Sequence, residues 1–356
     1  MATELEIMKM EGALPQIVTI AGTRPEIIKL AEFTRLINRR SHALWYTGQH
    51  YSENMKDIFF EELGITPNLD LKTGTSDVGV LKTNILRFLR PVNPEWVIVY
   101  GDTYSSMAGT LAAKELGCKL IHLEAGIRDL DSMVPEEGIR IYIDSVSDYH
   151  LAPTELAKTF LSYEGVERTV HITGNLIVDV CKKLAELADK KKRMDVPDKY
   201  LLLTMHRPEN VDDPEKLALL VKHIGSLKYK VIFPIHPRTR KNLVKFGMNL
   251  PPNVIALDPV GYMDFLSLLK NCELVMTDSG GVTEEAIILK KPCITLRHTT
   301  ARWETILLKA NILFPLDRKD PLSDTIEMML QTKITKNPYG ENVAENTIKM
   351  IDKITS

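Results

Sequence analysis

The feature that most constrains the fold of this chain is the alternation of short apolar runs with longer amphipathic segments. Most of the runs are apolar at consecutive positions, which is typical of parallel strands covered by helices on both faces. The segments between them, such as SSMAGTLAAKELG and DPEKLALLVKHIG, have helical spacing. The pattern predicts an α/β fold with parallel sheets. The runs are PQIVTIAG, HALWYTG, EWVIVYG, CKLIHLE, DYHLAPT, TVHITG, YLLLTMH, KVIFPIHP, NVIALDP, ELVMTDSG, KPCITLR and NILFPL.

Chain length and one change of composition predict two domains. A chain of 356 residues fits one large or two medium domains. Residues 181–198, CKKLAELADKKKRMDVPD, turn from helical spacing to a charged run and a Pro-Asp turn, as at a solvated helix end or a domain boundary. We expect Rossmann-like domains over residues 15–180 and 198–336, and a C-terminal helix over residues 337–356.

Composition excludes several classes of function. A net charge of −2 gives no basic surface for nucleic acid or an anionic membrane. The four cysteines form no CxxC pair, and their spacing fits neither a zinc site nor a disulfide framework, so we expect buried thiols in a reducing compartment. The sequence has no HExxH spacing, and we expect no metal. No apolar run is typical of a signal peptide or long enough to span a bilayer, so we expect a cytoplasmic protein.

Polar residues follow the predicted strands, where ligands bind in open parallel sheets. Acids gather in the first half of the chain, at Gly101-Asp102 and Glu124-Ala125-Gly126. Basic residues and a Ser-Gly-Gly turn gather in the second half, at His206-Arg207 and Ser279-Gly280-Gly281. If the two halves face each other, one cleft holds an anion site together with proton-transfer groups.

Each of these fragments also has a purely structural interpretation. The turn in TDSGGVTEEA suits phosphate at a helix N-terminus, but an ordinary N-cap explains it equally well. In GTRPEIIKL, Pro25 is expected at the first helical position, and Arg24 and Lys29 are either surface cations or partners of a diphosphate. Glu136 opens a predicted helix, where acids are common because of the helix dipole. His206, beside an arginine at a strand end, is a candidate catalytic residue.

Taken together and in order, eight motifs resemble those of the non-hydrolysing UDP-N-acetylglucosamine 2-epimerases. The resemblance covers residues 16 to 350 approximately. It implies the GT-B fold, in which two Rossmann-like doubly wound domains enclose the active site in a cleft and the C-terminal helix crosses back onto the first domain. It also implies a homodimer and no cofactor. The motifs are GTRPEIIKL, TGQHYSENM, GDT, HLEAGIR, PEEGIR, HRPEN, GYMDFLSLL and TDSGGVTEEA.

The resemblance implies epimerisation at carbon 2 of the sugar, converting UDP-N-acetylglucosamine to UDP-N-acetylmannosamine and back. Elimination of UDP would give 2-acetamidoglucal, and UDP would then add back with a proton delivered to the opposite face. Such a site needs a base, an acid and cations that stabilise the departing UDP. The residues that match the catalytic set of the family are Asp102, Glu124, Glu136 and His206.

The same resemblance assigns residues to the UDP-sugar. Arg24 and the Ser279 turn match diphosphate-binding positions, Glu285 matches the acid that binds the ribose hydroxyls, and Phe265 matches the position beside uracil. Gln49 and His50 match residues of a second UDP-N-acetylglucosamine site that some bacterial members use for allosteric activation. The full set of implied UDP-sugar residues is Arg24, Lys29, Arg207, Phe265, Ser279, Gly280, Gly281, Glu285, Arg297 and Arg302.

Departures from the family pattern leave other functions open. Ile139 stands in PEEGIR where the family usually has Asn, a position near the sugar. One alternative is therefore a 2-epimerase for a UDP-2,3-diacetamido uronic acid sugar, and another is a hydrolysing epimerase that releases N-acetylmannosamine and UDP. A GT-B glycosyltransferase and a non-catalytic nucleotide-sugar sensor fit less well, because neither needs this set of carboxylates.

Overall fold

Each of the twelve apolar runs forms a parallel β-strand, which confirms the predicted α/β class. The computed structural model describes residues 14–37, 41–49, 60, 62–188, 190 and 194–356. The chain divides into two compact units. The N-terminal unit comprises Met1–Val180 with Tyr339–Ser356, and the C-terminal unit comprises Cys181–Pro338.

The N-terminal unit contains a seven-stranded parallel sheet in the order β3-β2-β1-β4-β5-β6-β7. The two-residue strand β3 has no apolar run in the sequence; it pairs only with β2, at the edge of the sheet. A strand this short carries too few residues for a periodic signal, which is why the sequence did not predict it. The strands are β1 (Ile17–Ala21), β2 (His42–Tyr46), β3 (Leu69–Asp70), β4 (Trp96–Tyr100), β5 (Lys119–Leu123), β6 (Tyr149–Ala152) and β7 (Val170–Ile172).

The described helices of this unit lie between or after its parallel strands. The first begins at Arg24, one residue earlier than predicted, because Thr23 and Glu26 form a capping box before Pro25. The helices are α1 (Arg24–Leu36), α2 (Val78–Val92), α3 (Tyr104–Leu116), α4 (Pro135–Val146), α5 (Glu155–Tyr163) and α6 (Ile177–Ala188), the last of which spans the boundary between the units.

The C-terminal unit contains a six-stranded parallel sheet in the order β10-β9-β8-β11-β12-β13. Alternate residues of β8 enter two different apolar clusters, Leu201 and Leu203 in one and Leu202 in the other. Both faces of the strand are therefore covered, which explains its unbroken apolar sequence. The strands are β8 (Leu201–Thr204), β9 (Val231–Pro234), β10 (Val254–Leu257), β11 (Leu274–Thr277), β12 (Cys293–Thr295) and β13 (Asn311–Leu313).

Seven described helices lie in the segments between and after these strands. In α11, Ser279 is the N-cap and Gly280 is the first helical residue. They are α7 (Pro208–Val211), α8 (Pro214–Gly225), α9 (Pro237–Lys245), α10 (Tyr262–Asn271), α11 (Gly280–Ile288), α12 (Trp303–Leu307) and α13 (Leu322–Leu330).

The chain ends in helix α14 (Val343–Thr355), which packs against α1 in the N-terminal unit. Asp179 accepts a hydrogen bond from the Ala344 amide at 2.7 Å and so satisfies one of the free N–H groups at the start of α14. The Tyr339 carbonyl accepts a hydrogen bond from the Asn175 amide at 3.0 Å. At Gly174 the backbone has a φ of +96°, and an added Cβ would lie 2.5 Å from the Tyr339 carbonyl oxygen. The tail and the turn after β7 are thus in direct backbone contact.

Within the described ranges, none of the helices has both the length and the apolar character needed to cross a membrane.

Candidate active site

In each unit, some of the candidate residues lie where the strand order reverses. In the N-terminal sheet this point falls between β1 and β4, and in the C-terminal sheet between β8 and β11. Loops that leave such neighbouring strands in opposite directions open a crevice at their carboxyl ends. Asp102 follows β4, His206 follows β8 and Ser279 follows β11, so three predicted residues border a crevice of this kind.

Glu124 follows β5 and forms a buried ion pair with a cation of helix α1. The Lys29 Nζ donates to both of its carboxylate oxygens, at 2.8 and 3.0 Å, and the Glu124 side chain is only 6% exposed. Glu124 has a φ of +67°, which is rare for a residue with a side chain. A Cβ on Gly101 would lie 3.6 Å from Glu124 Oε2, so this carboxylate lies beside the end of β4. The strained backbone aims the carboxylate toward the strand end that carries Asp102.

Asp102 is held by Arg140 of helix α4. The Nε and Nη2 atoms of Arg140 both donate to Asp102 Oδ2, at 2.8 and 2.5 Å. The same guanidinium contacts Asp129 at 2.7 Å and Glu137 at 3.1 Å. Arg140 is buried whereas Asp102 keeps 30% of its side chain exposed, so solvent and small molecules can reach this carboxylate.

The two acids of PEEGIR differ in environment. Glu136 is partly exposed in the first turn of α4. Glu137 is buried and accepts hydrogen bonds from the backbone amides of Asp129 and Leu130, at 2.8 and 3.0 Å. Glu137 therefore anchors the loop before α4, and Glu136 is the acid that remains accessible. Ile139 packs against the apolar core of the N-terminal unit.

Glu26 is a buried acid that the sequence analysis did not single out. Its Oε2 accepts from the amides of Gly22 and Thr23, at 2.9 and 2.7 Å. Its Oε1 accepts from the hydroxyls of Thr103 and Ser106, at 2.9 and 3.0 Å. Burial raises the pKa of Glu26, although these hydrogen bonds act in the opposite direction. Glu26 thus connects the loop before Arg24 to the loop after Asp102.

The remaining predicted residues of the N-terminal unit have distinct surroundings. Arg24 is exposed at the first position of α1. Gln49 is buried, and its side-chain oxygen accepts from the Ser105 amide at 3.1 Å and from the Ser105 hydroxyl at 2.9 Å. The structure therefore gives Gln49 a place in the packing of helix α3. His50 lies outside the described residues.

In the C-terminal unit, the buried Asp278 organises the loop that carries His206. Its carboxylate accepts from the amides of His206 and Arg207, the latter at 2.8 Å, and lies 3.4 Å from the His206 Nδ1. Burial lowers the pKa of His206, while the negative charge of Asp278 opposes that shift. The His206 side chain is 40% exposed, and its ring centroid lies 5.4 Å from that of His236. His206 is therefore an accessible imidazole whose backbone is fixed by Asp278.

The Ser279-Gly280-Gly281 turn has unused space. A Cβ added at Gly280 or Gly281 would find no neighbour closer than 3.9 Å among the described residues. Neither glycine has a positive φ. Neither packing nor backbone conformation within the structure therefore requires glycine here, which suits the close approach of a ligand to the backbone.

Other predicted residues of this unit pair with partners that the sequence did not reveal. Glu285 is buried and accepts from the Tyr262 hydroxyl at 2.7 Å. The Arg302 Nε lies 2.5 Å from Glu284, and the Arg297 Nε donates to Glu209 at 3.0 Å. Phe265 is partly buried against an apolar cluster of the C-terminal unit.

Sequence reasoning missed Glu26, Arg140 and Tyr262 as parts of the candidate site, and it placed Asp278 at a strand end without giving it a role. Each lies within or beside a quoted motif, but its role depends on a partner that is distant in the sequence. Arg140 and Asp102 are 38 residues apart, and Tyr262 and Glu285 are 23 apart. For Glu26 in α1 and Arg140 in α4, the available signal was a charged residue inside a predicted amphipathic helix. Across the described ranges, no group of three or more His, Cys, Asp or Glu residues is placed to hold a metal ion.

Comparison with known proteins gives this geometry a family. The sequence model of the UDP-N-acetylglucosamine 2-epimerase family matches residues 35–352. The UDP-N-acetylglucosamine 2-epimerase of Methanocaldococcus jannaschii is 42% identical over 357 residues, covering 93% of this chain and 97% of the relative. The UDP-2,3-diacetamido-2,3-dideoxy-D-glucuronate 2-epimerase of Pseudomonas aeruginosa is 38% identical over 312 residues, covering 84% of this chain and 88% of the relative.

A solved structure extends the similarity to three dimensions. The crystal structure of M. jannaschii UDP-GlcNAc 2-epimerase in complex with UDP-GlcNAc and UDP has a TM-score of 0.86 and 41% identity, covering 95% of this chain and 99% of that one. This similarity, together with the two parallel sheets, confirms the predicted GT-B fold class. With a family match over most of its length and relatives at this identity, the chain belongs to the UDP-N-acetylglucosamine 2-epimerase family.

Proposed function

We propose that this enzyme interconverts UDP-N-acetylglucosamine and UDP-N-acetylmannosamine by inverting carbon 2 of the sugar. Relatives at 41% and 42% identity carry the name of this activity, and a similar structure contains UDP-GlcNAc and UDP. The observation that carries the proposal is the pair of carboxylates at the ends of adjacent strands β4 and β5. Asp102 and Glu124 each contact a buried cation, and Glu124 Oε2 lies beside Gly101.

The proposed reaction breaks the bond between carbon 1 and the UDP oxygen. As that bond breaks, a carboxylate removes the hydrogen of carbon 2 as a proton, and the electron pair forms the carbon 1–carbon 2 double bond of 2-acetamidoglucal. In the second half, the UDP oxygen adds back to carbon 1 and carbon 2 takes a proton on its opposite face. One group acts as base and another as acid, and no electron acceptor is needed. Asp102, Glu124 and Glu136 are the carboxylates that we assign to these transfers.

The cations beside these acids have a chemical role in the proposal. Lys29 and Arg140 keep Glu124 and Asp102 in fixed positions and balance their charge in a buried setting. A carboxylate held in this way can take and return a proton without reorganising its surroundings. The accessible face of Asp102 and the partly exposed Glu136 leave room for the sugar.

We assign UDP binding to the residues that match nucleotide-side positions of the family. The Ser279-Gly280-Gly281 turn offers backbone amides to the diphosphate, and Arg24, Arg207 and His206 add charge or hydrogen-bond donors. Glu285, oriented by Tyr262, accepts from the ribose hydroxyls, and Phe265 lies beside uracil. Arg297 and Arg302 complete the nucleotide-side set.

We also propose a cytoplasmic homodimer. All four cysteines are buried free thiols, as suits a reducing compartment. The proposal of a dimer is based on the family resemblance. Sedimentation of the purified protein at micromolar concentration measures the mass directly, and the mass of a monomer would contradict the proposal.

A second candidate substrate is a UDP-2,3-diacetamido uronic acid sugar. The 38% identity to a 2-epimerase of that class is close to the 42% found for the M. jannaschii protein. Ile139 packs in the apolar core and supplies no polar group toward a sugar at the position where the family usually has Asn. The two substrates differ by a carboxylate, so one enzyme is expected to prefer one of them by a wide margin.

The test is incubation of the purified enzyme with each UDP-sugar in separate reactions, with proton NMR of the products. Formation of UDP-N-acetylmannosamine from UDP-N-acetylglucosamine supports the proposal. Turnover of the diacetamido uronate alone shifts the assignment to the second candidate. Release of free N-acetylmannosamine with UDP points to a hydrolysing enzyme, and an unchanged spectrum in both reactions contradicts the proposed function.

A further inference from the structure

His122 is a fully buried residue of β5, two positions before Glu124. Its Nδ1 lies 2.6 Å from Asp144 Oδ1, and its Nε2 lies 2.8 Å from the carbonyl oxygen of Gly101. Both partners are oxygens, and neither ring nitrogen faces a donor. The imidazole therefore bridges helix α4 and the end of β4.

The number of hydrogens on this ring follows from its partners. A carbonyl oxygen only accepts hydrogen bonds, so the Nε2 must carry a hydrogen to bond Gly101. Asp144 also acts as an acceptor, because its Oδ2 accepts from the Arg128 Nη2 at 2.7 Å and an ion pair with a guanidinium favours the carboxylate form. The Nδ1 is then placed to donate to Asp144 Oδ1. With both nitrogens placed to donate, His122 has the hydrogen-bonding pattern of an imidazolium.

Asp144 extends this contact to the other side of Glu124. Its Oδ2 accepts from the Gly126 amide at 3.1 Å and from the Arg128 Nη2 at 2.7 Å. Gly126 lies two residues after Glu124 and has a φ of +81°. An added Cβ there would lie 2.3 Å from the Ala157 carbonyl oxygen, so this turn has no freedom to shift.

The backbone that these hydrogen bonds connect has a rare conformation at two residues. Gly101 and Glu124 both have positive φ, and this conformation is sterically unfavourable for Glu124 because it has a side chain. The His122–Asp144 pair bonds the carbonyl immediately before Asp102 and the amide two residues after Glu124. The buried His122–Asp144 pair thus constrains the backbone segments that carry the carboxylates of Asp102 and Glu124.

We propose that His122 and Asp144 form a positioning pair that holds Asp102 and Glu124 at the geometry needed for proton transfer. The inference rests on the proposed function, because it concerns the carboxylates assigned to that reaction. Neither residue touches the substrate in this account. The bond from His122 Nε2 to Gly101 aligns Asp102, and the bond from Asp144 to Gly126 aligns Glu124.

Two substitutions at one position separate the bonds of His122. The side-chain nitrogen of Asn falls near the place of the His Nδ1, and that of Gln falls near the place of the Nε2. His122→Asn therefore keeps a donor toward Asp144 and loses the bond to Gly101, while His122→Gln does the reverse. We expect kcat to fall on the order of 100-fold in His122→Asn and by less than about tenfold in His122→Gln, with KM within about twofold of wild type in both.

His150 provides a matched control on the neighbouring strand. It is the register partner of His122 in β6, is also buried, and bonds the Asp144 backbone oxygen at 2.7 Å. Among the described residues, its side-chain hydrogen bonds go to Thr169 and the Asp144 backbone and not to Gly101 or Gly126, so His150→Asn should lower the melting temperature and leave kcat unchanged. Equal loss of kcat in His122→Asn, His122→Gln and His150→Asn would show that the His122–Asp144 pair contributes only ordinary packing.

A spectroscopic measurement tests the hydrogen count without using activity. In ¹⁵N-histidine-labelled wild-type protein at neutral pH, with the signals of His122 assigned by their loss in His122→Gln, both ring nitrogens should show the shifts of protonated imidazolium. A neutral tautomer overturns the inference, as does wild-type kcat in a folded His122→Asn. Absence of turnover by wild type on either UDP-sugar would instead contradict the proposed function. The shifts of the ring nitrogens would then still show whether His122 is an imidazolium that bonds both Asp144 and Gly101.

Discussion

At the scale of single residues, the acids of the N-terminal unit have different roles because they have different partners. Glu26 accepts hydrogen bonds from backbone amides and hydroxyls, Glu137 holds a loop, and Glu124 and Asp102 face cations. All four are carboxylates near strand or helix ends in the sequence, which shows only their position along an element. The partners come from residues distant in the chain, so the sequence predicts the candidates but not the division of roles.

The first prediction concerns Glu124. In Glu124→Gln, we expect kcat to fall by roughly 10²- to 10⁴-fold, because the amide can no longer take or return a proton. Binding of UDP should remain within a few-fold of wild type, since UDP is assigned to other residues. The measurement is steady-state turnover beside UDP binding by calorimetry.

The matched control for this change is Glu95→Gln. Glu95 lies immediately before β4, at the opposite end of the strand from Asp102, and its side chain is 57% exposed in an ion pair with Lys119. Such a pair contributes little, so turnover should be unchanged. Wild-type turnover in Glu124→Gln would remove Glu124 from the catalytic set.

The second prediction concerns stability in acid. His42 is buried, with its Nε2 2.7 Å from the Thr19 hydroxyl, and burial lowers its pKa from 6.5 to about 3. Because the unfolded chain takes up this proton below 6.5 and the folded chain does not, the free energy of unfolding should fall as pH is lowered through that window. The contribution of His42 to this slope is up to about 1.4 kcal/mol per pH unit.

The substitution that isolates this effect is His42→Gln, which can keep the hydrogen bond to Thr19 and cannot take up a proton. Urea unfolding of the variant should show a shallower loss of stability with falling pH than wild type. Parallel curves for the two proteins would show that His42 titrates in the folded state near its ordinary value.

At the scale of elements, strand-to-helix junctions carry glycines for two different reasons. At Gly22, after β1, an added Cβ would lie 1.8 Å from the Ser105 hydroxyl oxygen, so packing within the unit requires glycine. At Gly280, after β11, the nearest atom would be 3.9 Å away, in the Arg302 side chain. The sequence shows both glycines in the same context and cannot distinguish the two cases.

The third prediction compares Ala at these two junctions. Gly280→Ala should leave the melting temperature unchanged or slightly higher, because Ala favours the helix. The same change should weaken UDP binding at least tenfold, because the new methyl group would collide with the diphosphate. Gly22→Ala should lower the melting temperature strongly. The measurements are thermal unfolding and UDP calorimetry; unchanged UDP affinity in Gly280→Ala would contradict the phosphate role of the turn.

The elements themselves were largely predictable from the sequence, and their side-chain contacts were not. Twelve of the thirteen strands in the described part of the chain correspond to apolar runs, since a strand buried on both faces needs consecutive apolar residues. The exception, β3, is a two-residue edge strand. Contacts such as Arg140 to Asp102 depend on how helix α4 packs against helix α3 and strand β5, which periodicity does not encode.

At the scale of the whole molecule, two similar parallel sheets carry different chemistry. The N-terminal sheet ends in acids paired with cations, and the C-terminal sheet ends in a histidine, an arginine and a glycine turn with free space. Under the proposed function, the N-terminal sheet would carry the proton-transfer groups and the C-terminal sheet the anion site. The tail returns to the N-terminal unit, where it meets the turn at Gly174.

The fourth prediction tests that tail contact. Gly174→Ala should destabilise the N-terminal unit and make the tail more sensitive to proteases, because the new Cβ would collide with the Tyr339 carbonyl. Gly165→Ala is the control, since Gly165 has a similar φ of +84° and would meet nothing within 4 Å. Its cost should be limited to the backbone strain of about 1 kcal/mol. Equal effects of the two variants on melting temperature and cleavage would show that the Tyr339 contact adds nothing.

The measurement that tests the central claim most directly is proton NMR of UDP-N-acetylglucosamine incubated with the enzyme in deuterated water. If carboxylates remove and return the proton at carbon 2, UDP-N-acetylmannosamine should accumulate with deuterium at that carbon, and Glu124→Gln should form neither product nor deuterated substrate. UDP-N-acetylmannosamine that retains the original hydrogen at carbon 2 would contradict solvent-exchanging acid–base chemistry at Asp102, Glu124 and Glu136.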